Sequence, residues 1–384
     1  MSPGYLTCVV SIMMACRVLG MMLLLPVIPI VMMNQGNHQA IAGLAVGAYG
    51  LTQCLFAIPM GIWSDRYGRH VVIMVGLLLM IVASVIGACV HSTWALILAR
   101  SLQGCGAIAG PALALLADHT SDKQRTYWMA WVGASIGGCF FIALILGPWL
   151  FQIVHLSGLF WLTTFLGILA LIVLRLIPRP TSQKPSQVGW RHLLLQMRGH
   201  HLRQLLLAVL GLHALWSALF LKLAIVMKQS SLASGWPLWQ WYASTMVIAG
   251  VMVLPWVRVM ARRQQLAVML SMSLVMWLLG IFGALLLQMK LQLFWLAMVL
   301  IFSAFMIFES ILPSLASKWA PPASRGGMMG LYGLCQYAGA GIGAILAGLA
   351  QGFWGDGYYW LLGLCFSCLL PLVYCMFAKA KNLY

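Results

Sequence analysis

Some dozen stretches of the chain run long and apolar with scarcely a charge among them. That pattern restricts the fold more than any motif does. A helix rising about 1.5 Å per residue crosses about 30 Å of hydrocarbon in about 20 residues. Inside lipid every backbone amide must find a partner within its own segment or in a closed barrel. Barrel strands alternate in polarity over about 10 residues, whereas these runs are apolar on every side. The expected fold class is an all-α membrane protein with 12 transmembrane helices. The spans are read at 5–33, 39–60, 71–90, 94–117, 127–150, 156–177, 203–228, 236–257, 264–288, 291–316, 326–350 and 358–378.

Only one long polar stretch interrupts the series. Residues 178–202, with Pro178, Pro180, Pro185 and several basic side chains, read as a linker, and 190–198 could form a short amphipathic helix. The linker divides the chain into an N-terminal six-helix bundle, 1–177, and a C-terminal one, 203–384. The start of the chain lacks a basic region and a small-residue cleavage site, so Tyr5–Met33 reads as a first span rather than a leader.

A net charge of +17 invites a nucleic-acid reading, but the placement of the charges argues against it. Of the 22 Lys and Arg residues, Arg17, Arg100 and Lys222 lie in spans, and Lys228 and Lys290 lie on one face. The other seventeen collect on the opposite face, which the positive-inside rule makes cytoplasmic, with both termini there. A bacterial inner membrane is the expected location. The ten cysteines all fall within apolar runs and show no metal-ligand spacing, so they read as small core residues. No metal, cofactor or nucleic acid is called for, and a monomer is expected.

Between the second and third spans lies Gly61-Ile62-Trp63-Ser64-Asp65-Arg66-Tyr67-Gly68-Arg69-His70. So many ionisable groups are too costly inside lipid, so the segment reads as a tight loop on an aqueous face. Gly61 and Gly68 suit close backbone approach or positive φ. Asp65 can cap a helix end, and with Asp118, at the end of the fourth span, an Asp65–Arg69–Asp118 cluster is available. The form G-x-x-x-D-R-x-G-R resembles the loop 2–3 signature of the major facilitator superfamily of transporters, with His70 in place of the usual final basic residue. The resemblance implies two pseudo-symmetric bundles, and a latch of Gly61, Asp65, Arg66, Gly68, Arg69 and Asp118 that pins the cytoplasmic ends together.

Further stretches carry the same likeness. Arg100-Ser101-Leu102-Gln103-Gly104 resembles the family's R-x-x-Q-G signature, and Gly133, Gly137, Gly147 and Pro148 resemble a helix-5 pattern of proton-linked exporters. On their own terms those glycines permit close helix contact and Gly-Pro permits a bend. The fifth and eleventh spans are both glycine-rich, as two related halves require. Arg17-Val18-Leu19-Gly20-Met21, Tyr49-Gly50-Leu51-Thr52-Gln53 and Glu309-Ser310-Ile311-Leu312-Pro313 are similar to a branch of bacterial proton-linked efflux proteins. Members of that branch carry a soluble domain after the twelfth helix, while this sequence stops at Tyr384.

An arginine at the centre of a span costs about 2.5–3.5 kcal/mol on insertion scales, so it faces a cavity or a partner. Arg17, Arg100, His213 and Glu309 fall on the first, fourth, seventh and tenth spans, which line the central cavity in the resembled fold. Glu309 is the single carboxylate inside any span. Either it or His213 could bind and release the coupling proton. An Arg17–Glu309 salt bridge and a histidine satisfied by packing are the structural alternatives.

The functional expectation is a secondary transporter that exports a small amphipathic organic compound in exchange for protons. Its cavity would be lined by Tyr49, Gln53, Phe56, Gln103 and Trp131. The alternative is an importer, or an exporter of a specific metabolite or siderophore. An enzyme is disfavoured, because no H-E-x-x-H, nucleotide loop or intramembrane catalytic set occurs.

Overall fold

The computed structural model describes residues 3–90, 92–120, 122–177, 200–262, 265–286, 291–319 and 325–354, and every regular element among them is an α-helix. In chain order these are α1 (Pro3–Leu23), α2 (Ile28–Asn34), α3 (Gln39–Tyr67), α4 (Arg69–Cys89), α5 (Thr93–Cys105) and α6 (Ala109–Asp118). There follow α7 (Asp122–Leu174), α8 (His200–Ser234), α9 (Leu238–Arg262), α10 (Leu266–Leu286), α11 (Leu291–Trp319) and α12 (Arg325–Trp354). The first eleven expected spans each have a helical counterpart. The twelfth, 358–378, and the linker through residue 199 lie outside the described residues.

Four of the spans depart from simple rods, in three places. The first divides into α1 and α2 at Leu24–Val27, where Pro26 has no N–H to give and turn bonds such as Val27 N–H to Leu24 O replace the ladder. The fourth divides into α5 and α6 at Gly106–Ile108. The third case is α7, whose 53 residues hold the fifth and sixth spans together, because a single crossing uses about 20. It turns back at His155, with φ 56° and ψ −172°, a backbone region essentially reserved for glycine. On one side of the turn Gly147 lies against the Leu23 backbone. On the other, the Thr163 hydroxyl donates to the Gly20 carbonyl at 2.9 Å.

The expected loop at 61–70 contracts to one residue. Helix α3 continues to Tyr67, α4 starts at Arg69, and Gly68 alone makes the corner with φ 102° and ψ 141°. A side chain there would be strained. Gly61 does neither of the things expected of it: it is mid-helix, with open space where a Cβ would stand. Helix α7 stays helical through Gly147 and Pro148, where a bend was expected. Gly147 serves close contact with α1 instead. Among the described cysteines, Cys8 and Cys89 are exposed rather than in the core.

The two halves are filled differently. The first packs chiefly aliphatic and methionine side chains from α1, α4, α6 and α7. The second is aromatic: Trp216 of α8 stacks on Phe305 of α11 with centroids 3.9 Å apart and planes 10° apart, and Phe302 and Trp277 close around it. Such ring pairs add about 0.5–1.5 kcal/mol each beyond burial.

The halves meet along α3 and α12, and glycine makes that meeting possible. A Cβ on Gly47 would stand 2.6 Å from the Gly341 carbonyl oxygen, and one on Gly341 2.6 Å from the Leu51 amide nitrogen. Only residues without side chains let two helix backbones approach so closely. The seam is closed at the end holding residues 39 and 348. Toward the other end, a Cβ added to Gly61 of α3 or to Gly330 and Gly333 of α12 would meet nothing within 4 Å among the described residues, nor would one on Gly133, Gly137 or Gly138 of α7. The close glycine contacts are thus confined to one end of the seam, and the end toward the 61–70 turn is the open one.

Candidate functional site

Two polar clusters lie beside this seam, one in each half. In the first, Arg17 of α1 and Arg100 of α5 are each 1% exposed. Arg17 Nη2 donates to Gln53 Oε1 at 2.8 Å and to the Gly106 carbonyl at 2.9 Å. Breaking the fourth span at Gly106 removes that carbonyl from the helix ladder, and the buried guanidinium takes it up. Arg100 Nη1 donates to Gln103 Oε1 at 2.9 Å, and its charge lies 4.6 Å from the Tyr49 ring centroid. Gln103 in turn donates to Ser84 Oγ at 2.9 Å. Both Nε atoms are buried without a hydrogen-bond partner.

No carboxylate faces either guanidinium among the described residues. In place of an acid, Arg17 acts electrostatically on Tyr337, which comes from α12 in the other half. The Tyr337 ring stands edge-on to Tyr49, with centroids 6.3 Å apart. Tyr49, Gln53 and Gln103, expected to line the cavity, are thus drawn onto the arginines and buried. Phe56 packs against Met60, Val72 and Ala107 within the first half. Trp131, 55% exposed, sits near Tyr127 on α7. The cavity residues expected from sequence do not form one wall in this conformation.

The second cluster joins α8, α11 and α12. His213 Nε2 is 3.1 Å from Glu309 Oε1. The Arg17–Glu309 salt bridge, the structural alternative, is not formed: Glu309 is held by His213 and Gln336, and Arg17 by Gln53 and the Gly106 carbonyl. Gln336 Nε2 lies 3.4 and 3.3 Å from the two Glu309 oxygens and 3.1 Å from His213 Nε2. His213 Nδ1 is 2.9 Å from the Val209 carbonyl, which can only accept, so Nδ1 carries a hydrogen. The Nε2–Oε1 contact is then attractive when one further proton sits between the two atoms. The His213 side chain is 11% exposed and that of Glu309 30%.

Gln336 and Tyr337 escaped the sequence reading. Their signal was a polar amide and a phenol side by side in an otherwise small and apolar span, weaker than a formal charge.

The charges around the 61–70 turn form a third group. Arg69, 7% exposed, pairs with Asp65 one turn back and with Asp118 of α6, Nε to Oδ2 at 3.3 Å. Its Nη1 donates to Ser64 Oγ at 2.7 Å, and that hydroxyl donates to the Gly61 carbonyl at 2.8 Å. Arg66 instead lies over the Tyr67 ring, 5.5 Å from its centroid. The Asp65–Arg69–Asp118 cluster is thus assembled inside the first half. At the closed end a separate crevice of about 350 Å³ is lined by Met32, Gln35, Ser92 and His155, away from all three groups.

Broken helices around buried polar clusters, in two halves that meet along one seam, follow the plan of membrane transporters. Residues 10–266 match the Major Facilitator Superfamily, and the chain belongs to it. It is 35% identical over 361 residues to the inner membrane transport protein YajR of Escherichia coli, covering 89% of this chain and 77% of that protein. The multidrug resistance protein MdtH of Aeromonas hydrophila is 27% identical over 343 residues, 84% of each chain. The solved structure of the human organic anion transporter MFSD10 superposes with a TM-score of 0.73 at 18% identity, covering 97% of this chain and 99% of that one. That last likeness is one of fold.

Proposed function

We propose that this transporter exports a small amphipathic organic compound in exchange for protons, by alternating access between bundles 1–177 and 203–384 joined by linker 178–202. The observation that carries the reading is the partly exposed His213–Glu309 pair, which needs one proton to become attractive and sits beside the seam between the halves. Proton uptake there shifts the balance between conformations through its differential effect on them. Arg17 and Arg100 supply fixed positive charge on the facing side of the seam. Likeness to a relative named for multidrug resistance supports the exporting direction.

In this reading the membrane is the bacterial inner membrane, the 61–70 turn and both termini are cytoplasmic, and the protein acts as a monomer. Asp65, Arg69 and Asp118, with Gly61, Arg66 and Gly68, form the first half's share of a cytoplasmic gate. Tyr49, Gln53, Phe56, Gln103 and Trp131 contribute to the substrate path as the halves rock. Gly133 and Gly137 leave room in α7 for that movement.

Everted vesicles loaded by an imposed proton gradient, with a panel of fluorescent amphipathic dyes, test the reading. Wild-type protein accumulates dye only with the gradient, and Glu309→Gln loses that gradient-driven part. Undiminished gradient-driven accumulation by Glu309→Gln would refute the proton assignment, and gradient-driven dye loss from the vesicles would reverse the direction.

A further inference from the structure

Gln336 and Tyr337 are successive residues of α12, and a helix turns by about 100° between neighbours. They consequently reach two different clusters. Gln336 touches His213 and Glu309 in its own half, and Tyr337 meets the charge of Arg17 and the ring of Tyr49 in the other.

The amide of Gln336 meets a different demand in each protonation state. With a proton between His213 Nε2 and Glu309 Oε1, those two atoms satisfy one another, and Gln336 has only the remaining carboxylate lone pairs to bond. Once the proton leaves to water, a bare Nε2 lone pair faces an ionised carboxylate. The two N–H groups of Gln336 are then the donors within reach of both, at 3.1 Å from Nε2 and 3.3 Å from Oε2. Gln336 thereby favours the deprotonated pair and is pinned by it. Pinning Gln336 fixes the rotation of α12, which keeps Tyr337 beside Arg17 and its ring against Tyr49.

We propose that Gln336 and Tyr337 are positioning residues that link proton occupancy of the His213–Glu309 pair to the grip of α12 on the first half. The inference rests on the proton-coupled reading above. Its sign is definite: the deprotonated pair favours the seam closed as seen here, and protonation loosens it.

Other ionisable groups near the pair are few. Tyr332 of α12 acts electrostatically with Glu309, and Cys335 lies on the same helix. Helix α9 brings Tyr242, stacked on Phe220, while α2 and α10 bring no ionisable side chain. Lys222 and Lys318 lie more than two turns along α8 and α11 from the pair. Arg17 is reached only through Tyr337, and Arg100 lies beyond Tyr49.

The test needs no knowledge of the substrate. Spin labels on Gly137→Cys and Gly330→Cys, in full-length protein whose native cysteines are replaced by alanine, report the separation of the halves at the open end. Electron–electron distance measurements in liposomes between pH 5 and 9 are expected to show the long distance dominant at high pH and a shorter one gaining at low pH. Gln336→Leu removes the donor that favours the deprotonated pair, so the midpoint moves upward by about one pH unit, a tenfold gain in proton affinity. Gln336→Asn, a milder change, moves it the same way and guards against a folding defect. Tyr337→Phe lowers the long-distance fraction at pH 9. Midpoints unchanged in both Gln336 variants overturn the inference while leaving the proton-coupled reading intact. A wild-type protein whose distances ignore pH, or a Glu309→Gln variant that titrates as wild type does, overturns both.

Discussion

The two ends of the α3–α12 seam use the same residue for opposite purposes. At the closed end, glycine is required by contact: Gly43, Gly47 and Gly50 face Gly341 and Gly348 so closely that a methyl group would collide with backbone. At the open end, a Cβ added to Gly61, Gly330 or Gly333 would meet nothing among the described residues. Backbone packed on backbone cannot yield to a side chain, whereas empty space can take one. The lesson is that a glycine-rich helix in a transporter encodes two conformations at once, and a single structure displays the need for only some of its glycines.

That contrast can be broken by substitution. The largest effect is expected at Gly341, where a side chain meets the Leu51 amide at 2.6 Å and the Gly47 carbonyl at 3.0 Å. Gly341→Leu should abolish transport and remove the long-distance population in the spin-label experiment, since the seam can no longer close. Gly333→Leu comes next. It should fold with unchanged thermal stability and yet transport several-fold more slowly, because the open end must close in the other state. Normal transport by Gly333→Leu would show that the open end never closes on itself.

Smaller effects sharpen the comparison by sign. Gly50→Ala places a methyl 2.8 Å from the Gly341 nitrogen and 2.9 Å from the Tyr337 carbonyl, an overpacking that costs about 1–3 kcal/mol. Gly61→Ala occupies open space inside a regular helix, where alanine is favoured over glycine by roughly 0.5–1 kcal/mol. Unfolding followed by intrinsic fluorescence should therefore move in opposite directions for the same chemical change. Equal destabilisation would mean that the open end is packed in the resting protein.

Much of the fold was legible because lipid leaves a chain so few options. Apolar length located the first eleven spans, and the turn between α3 and α4 announced itself by its charges and Gly68. The breaks were not legible. Pro26 gave a hint of the first, but the break at Gly106 depends on Gly76 approaching too closely for a side chain, a contact 30 residues away in sequence. Within the site, formal charge guided the reading to Arg17, Arg100, His213 and Glu309, and the Arg17–Glu309 bridge it held as an alternative is not formed. Arg17 is nearest in chemistry to Glu309, yet the helix that would unite them contributes Tyr337 to one and Gln336 to the other. Uncharged groups filled the space between two charges, and no rule of composition could have announced that.

The corner at Gly68 has a mechanical consequence. With a single residue between α3 and α4, neither helix can tilt without dragging the other. Arg69 then rivets that corner to α6 through Asp118. Three helices are thus yoked at the open mouth like planks of one door, so torque applied to α3 at the far end of the seam arrives undivided at the threshold where cargo must pass.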